Sequence, residues 1–163
     1  MKILILGHAR HGKDTVAEMI SEDFGLDFKS SSMACAEIFI YDALKDKYGY
    51  KTFEECYEDR MNHRAEWHDM ICEYNKDDKA RLAKKILEDN DMYVGMRSDD
   101  EVIESKRQSV FDLIIGVYDY RKPLESPDSF SINIWEHCDF VIPNGTTLED
   151  LYWRVNKTVG PFL

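Results

Sequence analysis

A chain of 163 residues, 44% apolar and 33% charged with only 8 Gly and 4 Pro, has the size and composition of one globular domain, not of a disordered, collagenous or low-complexity chain. Against 21 Lys and Arg stand 32 Asp and Glu, and the net charge of −11 opposes non-specific binding to nucleic acid or anionic lipid, so nucleic acid is not an expected partner and any phosphate site must be a local positive pocket. No apolar run approaches the roughly 18 residues needed to span a bilayer, and Ile3 to Leu6 is too short for a signal peptide, which predicts a soluble, cytoplasmic protein.

The opening run Met1 to Gly7 is apolar and glycine-ended, and predicts a central strand buried on both faces. From Gly12 the apolar positions Val16, Ala17, Ile20 and Phe24 recur at helical spacing until Gly25. Residues 27–32 predict a short second strand, and Ala34 to Tyr48 a helix. About two helices should fill residues 52–89, the first capped by Thr52-x-x-Glu55. Met92 to Met96 reads as a strand, followed by a helix capped by Ser98-x-x-Glu101. Val110 to Tyr118 is the longest β-branched and apolar run. Residues 119–131, with Pro123 and Pro127, predict a mobile surface loop. Phe140 to Ile142, the Asn144-Gly145 turn and a helix from Thr146 or Thr147 close the chain. Strands alternating with helices imply an α/β fold: a three-layer sheet of about five parallel strands with helices on both faces. The four cysteines, Cys35, Cys56, Cys72 and Cys138, are scattered without a Cys-x-x-Cys pair, so they read as reduced, mostly small core residues.

Chemistry concentrates between the first strand and its helix. Gly7-His8-Ala9-Arg10-His11-Gly12-Lys13-Asp14-Thr15 satisfies G-x-x-x-x-G-K and replaces the usual hydroxyl residue by Asp14. Glycines let the backbone curl so that amides point inward, the helix offers its positive end, and Lys13 supplies a cation for β and γ phosphates. The natural occupant is a nucleoside triphosphate such as ATP. As a hard anionic oxygen donor Asp14 suits Mg²⁺, directly or through water, with the plain helix-start residue as the alternative. His8 and His11 read as outward loop side chains, Arg10 as a phosphate contact and Thr15 as a neighbouring hydroxyl.

The Gly12-Lys13-Asp14-Thr15 variant, the Gly95-Met96-Arg97 strand end with Glu101 after it, and the closing stretch Asp139 to Leu151 resemble phage-type deoxynucleoside monophosphate kinases and their uncharacterised relatives over nearly the whole chain. The resemblance implies a P-loop NTPase fold, one domain over residues 1–163 with sheet order 2-3-1-4-5. It also implies ATP and Mg²⁺ as cosubstrates, and transfer of a phosphoryl group to a nucleoside monophosphate, in the host cytoplasm if the chain is phage-encoded. Small nucleotides are then the partners, and a homodimer stays open. Two features depart from the family: the third strand ends without the usual acidic residue, a lack that Asp14 is expected to offset, and the arginine-rich lid shrinks to Tyr120-Arg121-Lys122.

Arg97, at a strand's carboxyl end, and Arg121, after the longest strand, are the candidate stabilisers of the transferring phosphoryl; a surface ion pair with Asp99, Asp100 or Glu101 is the plainer role for Arg97. Arg60, His63, Arg64 and Trp67, in the helical insertion at 52–89, form the candidate acceptor site, against a solvated face and a core tryptophan. Ser32 is a candidate acceptor-phosphate hydroxyl or a helix cap. In related kinases the backbone at Asn144 and Gly145 packs near adenine; otherwise these residues only make a turn. Two rival functions stand beside the kinase: a P-loop kinase for another small phosphorylated metabolite or a modified DNA base, and a nucleotide-binding regulatory module without turnover.

Overall fold

The computed structural model describes residues 1–163. Strands Ile3–Leu6 (β1), Phe28–Ser30 (β2), Met92–Val94 (β3), Leu113–Tyr118 (β4) and Phe140–Pro143 (β5) form one sheet in the order β2-β3-β1-β4-β5, and every pairing is parallel. The sheet order is the expected 2-3-1-4-5. In β1 the residues alternate between two apolar layers. Ile3 and Ile5 pack with Val16, Ala17 and Ile20 of α1 (Lys13–Phe24) and with Leu151, Val155 and Val159 of α9 (Leu148–Val159). Leu4 and Leu6 face the opposite layer. A strand with partners on both edges and helices on both faces must be apolar at every position, which is why its sequence runs unbroken. All four side chains are fully buried, and each such burial is worth about 1.5–3 kcal/mol.

The second layer holds Ser31–Cys35 (α2), a π-wound segment Ala36–Ile40, Tyr41–Tyr48 (α3), Phe53–Glu58 (α4), Arg64–Tyr74 (α5), Arg81–Ile86 (α6), Asp99–Arg107 (α7) and Ile134–His137 (α8). Residues 52–89 thus form three α-helices and a 3₁₀ turn at Asp59–His63, more than the two expected. Short polar side chains make the extra break: Asp78 Oδ1 accepts from the Ala80 amide (2.9 Å) and Asn75 Oδ1 from the Leu82 amide (3.0 Å), so the backbone leaves one helix and enters the next.

Caps follow the sequence in part. Thr52 Oγ1 accepts from the Glu55 amide (3.2 Å) and Thr147 Oγ1 from the Asp150 amide (3.1 Å). The Ser98 side chain makes no cap bond; Ser131 Oγ takes the Asp99 amide instead (3.0 Å), and Glu101 turns towards Asn75. β4 begins at Leu113, later than expected, because the Val110 amide still closes a turn on the Ser105 carbonyl (2.9 Å). Residues 119–131 form a surface segment, most of it exposed, that is tied down at points along its length. Asp119 and Phe130 are buried, and Pro123 and Glu125 bond the loop that follows β1. No helix is long and apolar enough to cross a membrane.

Candidate functional site

The turn from β1 into α1 is drawn in by two close approaches. A Cβ at Gly7 would stand 2.8 Å from the Val117 carbonyl oxygen of β4, and one at Gly12 would collide with Asn144 Nδ2. Gly12 also sits at φ 99°, in the left-handed region, where an L side chain costs about 1–2 kcal/mol. Asn144 Nδ2 donates to the His11 carbonyl (3.0 Å), so the residue expected beside adenine serves to pin the loop. Gly145 lies under the Tyr120 ring, whose hydroxyl donates to its carbonyl (3.4 Å). Gly12→Ala should therefore lower the melting temperature by about 4–8 °C, the shift that corresponds to roughly 2 kcal/mol in a chain of this size. Thermal unfolding of the variant checks this.

At the loop's end the Lys13 side chain is 12% exposed, and no hydrogen bond holds its ammonium; the nearest carboxylate oxygen, Asp14 Oδ2, is 3.9 Å away. Burial pushes the Lys13 pKa below the ordinary lysine value, against the opposing pull of Asp14. A largely buried cation without an acceptor is costly unless an anion joins it. Asp14 itself projects to solvent, its side chain 61% exposed. Thr15 follows it in the first turn of α1, and Arg10 is exposed with φ 66°.

The two histidines do not point outward. The His11 ring is fully buried: its Nδ1 accepts from the Asp119 amide (3.0 Å), which leaves Nε2 protonated to donate to the Pro123 carbonyl (3.1 Å). His8 Nδ1 accepts from the Glu125 amide (3.0 Å) while its ring packs on Phe130, and burial, with the nearby His11, lowers its pKa. The loop spacing gives no hint of this, because the partners lie over a hundred residues away. Glu125 completes the contact: Oε2 accepts from the Ala9 amide (2.9 Å) and Oε1 from Arg97 Nη1 (2.6 Å). Arg121 is bound instead to Asp119, through Nε and Nη2 at 3.0 Å each, which holds the Asp119 pKa down to about 2. In this arrangement Arg121 anchors the end of β4 and does not reach over the loop.

Beside the loop opens a cavity of about 270 Å³ whose lining includes Ser31 and Ser32 of α2, Arg97 after β3, and Asn75, Lys79 and Glu101. His68, Ile71 and Cys72 of α5, with Asn75 just past its end, face it at the i, i+3, i+4, i+7 spacing of one helical side. Deep in the cavity Asn75 Nδ2 donates to Glu101 Oε1 (2.9 Å), and burial pushes the Glu101 pKa up against that bond.

Of the expected acceptor residues, only Ser32 lines this cavity. The Arg60 guanidinium lies over the Tyr57 ring and donates to the Tyr57 carbonyl (2.9 Å). His63 stacks on Tyr48 at 4.0 Å and bonds Asp59 (2.9 Å). Arg64 is exposed at the start of α5, and Trp67 is buried in the apolar layer. These four cluster in sequence but are spread by the 3₁₀ turn and by the phase of α5, which aims the next turn at the cavity. Asn75 and Lys79 carry no local motif. Glu101 does, but the spacing reads as a cap.

No protein-family model matches this chain, and no curated protein does.

Proposed function

We propose that this chain is a P-loop kinase that transfers the γ-phosphoryl of ATP to a nucleoside or deoxynucleoside monophosphate. The observation that carries the reading is Lys13: a largely buried side chain whose ammonium has no hydrogen-bond acceptor in the chain, at the mouth of a loop whose Ala9 amide already holds an anion. Residues 7–13 would cradle the triphosphate through backbone amides, and Lys13 would meet its β and γ oxygens. Arg97 supports a transfer reaction over simple binding. Its guanidinium reaches the anion on the loop while the residue lines the neighbouring cavity, so one cation borders both a donor and an acceptor site. Acceptor binding moves in this reading from Arg60, His63, Arg64 and Trp67 to Ser32 and Lys79, with Arg97 kept for the transferring group between the two sites. Positioning and charge stabilisation suffice, with no side-chain nucleophile.

Mg²⁺ would neutralise the phosphate charge when bound, and a single exposed carboxylate beside the loop fits an ion that takes most of its ligands from phosphates and water. Asp14 is the residue to hold it. Asp14→Asn is then expected to raise the Mg²⁺ concentration for half-maximal rate several-fold, while metal-free ATP binding holds or tightens as a negative charge is lost. Rate against Mg²⁺, beside calorimetry in a chelator, checks this, and superimposable Mg²⁺ curves would return Asp14 to a helix-start role.

A second reading, a nucleotide-binding module without turnover, is favoured by one feature: β3 runs out through Gly95, Met96 and Arg97 with no carboxylate. ADP release measured across the common nucleoside and deoxynucleoside monophosphates separates the two. Release dependent on one class of acceptor supports the kinase, and ATP binding with no release under any acceptor supports the module.

A further inference from the structure

We propose that Glu125 is an internal stand-in for phosphate, closing the Gly7–Lys13 loop until an incoming polyphosphate displaces it and lifts the neighbouring residues off the loop. The inference rests on the P-loop reading above and adds a built-in competitor to it.

The two partners of the Glu125 carboxylate are the kinds a phosphoryl oxygen takes: a loop amide, Ala9 N at 2.9 Å, and a guanidinium, Arg97 Nη1 at 2.6 Å. The carboxylate is well enclosed, its side chain 15% exposed. Burial favours its neutral form, yet the Arg97 bond, the Ala9 amide and the Arg97 charge together hold it below the ordinary glutamate range, so the plug is anionic near neutrality. Backbone contacts fasten the same strap. The Glu125 amide donates to His8 Nδ1 (3.0 Å), and the Pro123 carbonyl accepts from His11 Nε2 (3.1 Å). Thus residues 8, 9 and 11 of the loop all engage residues 123–125.

The strap has two fixed ends. At one, Asp119 is locked to Arg121 and its amide bonds His11 Nδ1. At the other, the Ser131 amide donates to the Arg97 carbonyl (3.0 Å). What must move to admit a phosphate is therefore the short span between them, centred on Glu125. A ligand that binds only the open form has its apparent affinity reduced by the open fraction. Removing the charge of Glu125 raises that fraction and frees Arg97.

The test compares wild type with Glu125→Gln and Glu125→Ala, titrating ATP and inorganic triphosphate by calorimetry while amide exchange is followed by NMR. The second variant guards against the glutamine amide keeping the bond to Ala9. The expected result is an affinity about tenfold tighter in Glu125→Ala, the factor that one charge-assisted hydrogen bond is worth. In wild type, ATP should also leave the Ala9 amide protected while the Glu125 amide loses protection. Equal or weaker affinity in the variants overturns the plug and leaves the P-loop reading standing. Tighter affinity with the Glu125 amide still protected in ligand-bound wild type overturns it too, since relief of charge repulsion then accounts for the gain. If neither wild type nor variants bind ATP, the plug and the P-loop reading fall together.

Discussion

Lys13→Ala is expected to lower kcat/KM for ATP-dependent turnover by at least about a hundredfold while leaving the melting temperature unchanged or slightly raised. The rate loss follows from removing a preorganised cation where phosphate charge develops, a change that typically costs about 10²–10³. The stability sign follows from the same residue's surroundings. Its side chain is largely buried, burial already lowers its pKa, and no hydrogen bond compensates. The folded protein without ligand carries a desolvation cost that alanine removes. Circular dichroism, thermal unfolding and a turnover assay measure it, and a folded Lys13→Ala protein with near wild-type rate would contradict the assignment.

Arg97→Ala should reduce kcat by about tenfold or more with a smaller change in the acceptor KM. An arginine that meets the transferring group chiefly in the transition state affects kcat and kcat/KM together, whereas one that only holds the ground-state acceptor raises KM. Arg97 lies between the anion on the loop and the cavity, which favours the first behaviour. Lysine should restore little, because a point charge does not reproduce a planar guanidinium fork. The contrast set is Arg60→Ala and Arg64→Ala, expected within about twofold of wild type, since neither lines the cavity and Arg60 is occupied with Tyr57. Steady-state kinetics on the four proteins decide the point. A large KM effect at Arg60 or Arg64 would return the acceptor to the outer face of the helical insertion.

What the sequence discloses and what it conceals divide along physical lines. The buried run Ile3 to Leu6, the glycine stop at Gly25 and the caps at Thr52 and Thr147 are set by neighbours within a few residues, and they read directly. Lys13 and Gly12 are legible for the same reason. The strap over the loop is not, because His8, Ala9 and His11 meet residues 119–125, and nothing local to either segment announces the other. Ser98 shows a local rule outweighed by tertiary structure: the capping-box spacing is present, but Ser131 Oγ takes the Asp99 amide in place of the Ser98 hydroxyl. The cation cluster at Arg60 to Trp67 fails for want of helix phase. Spacing fixes which residues share a side, and only packing fixes which side meets the cavity.

The most direct test of the kinase reading is to follow label from [γ-³²P]ATP in the presence of Mg²⁺ and each nucleoside or deoxynucleoside monophosphate. Label should appear in the corresponding nucleoside diphosphate for one or a few acceptors, and should be lost with Lys13→Ala. Label that stays on ATP with every acceptor, or that leaves only as inorganic phosphate, would contradict it.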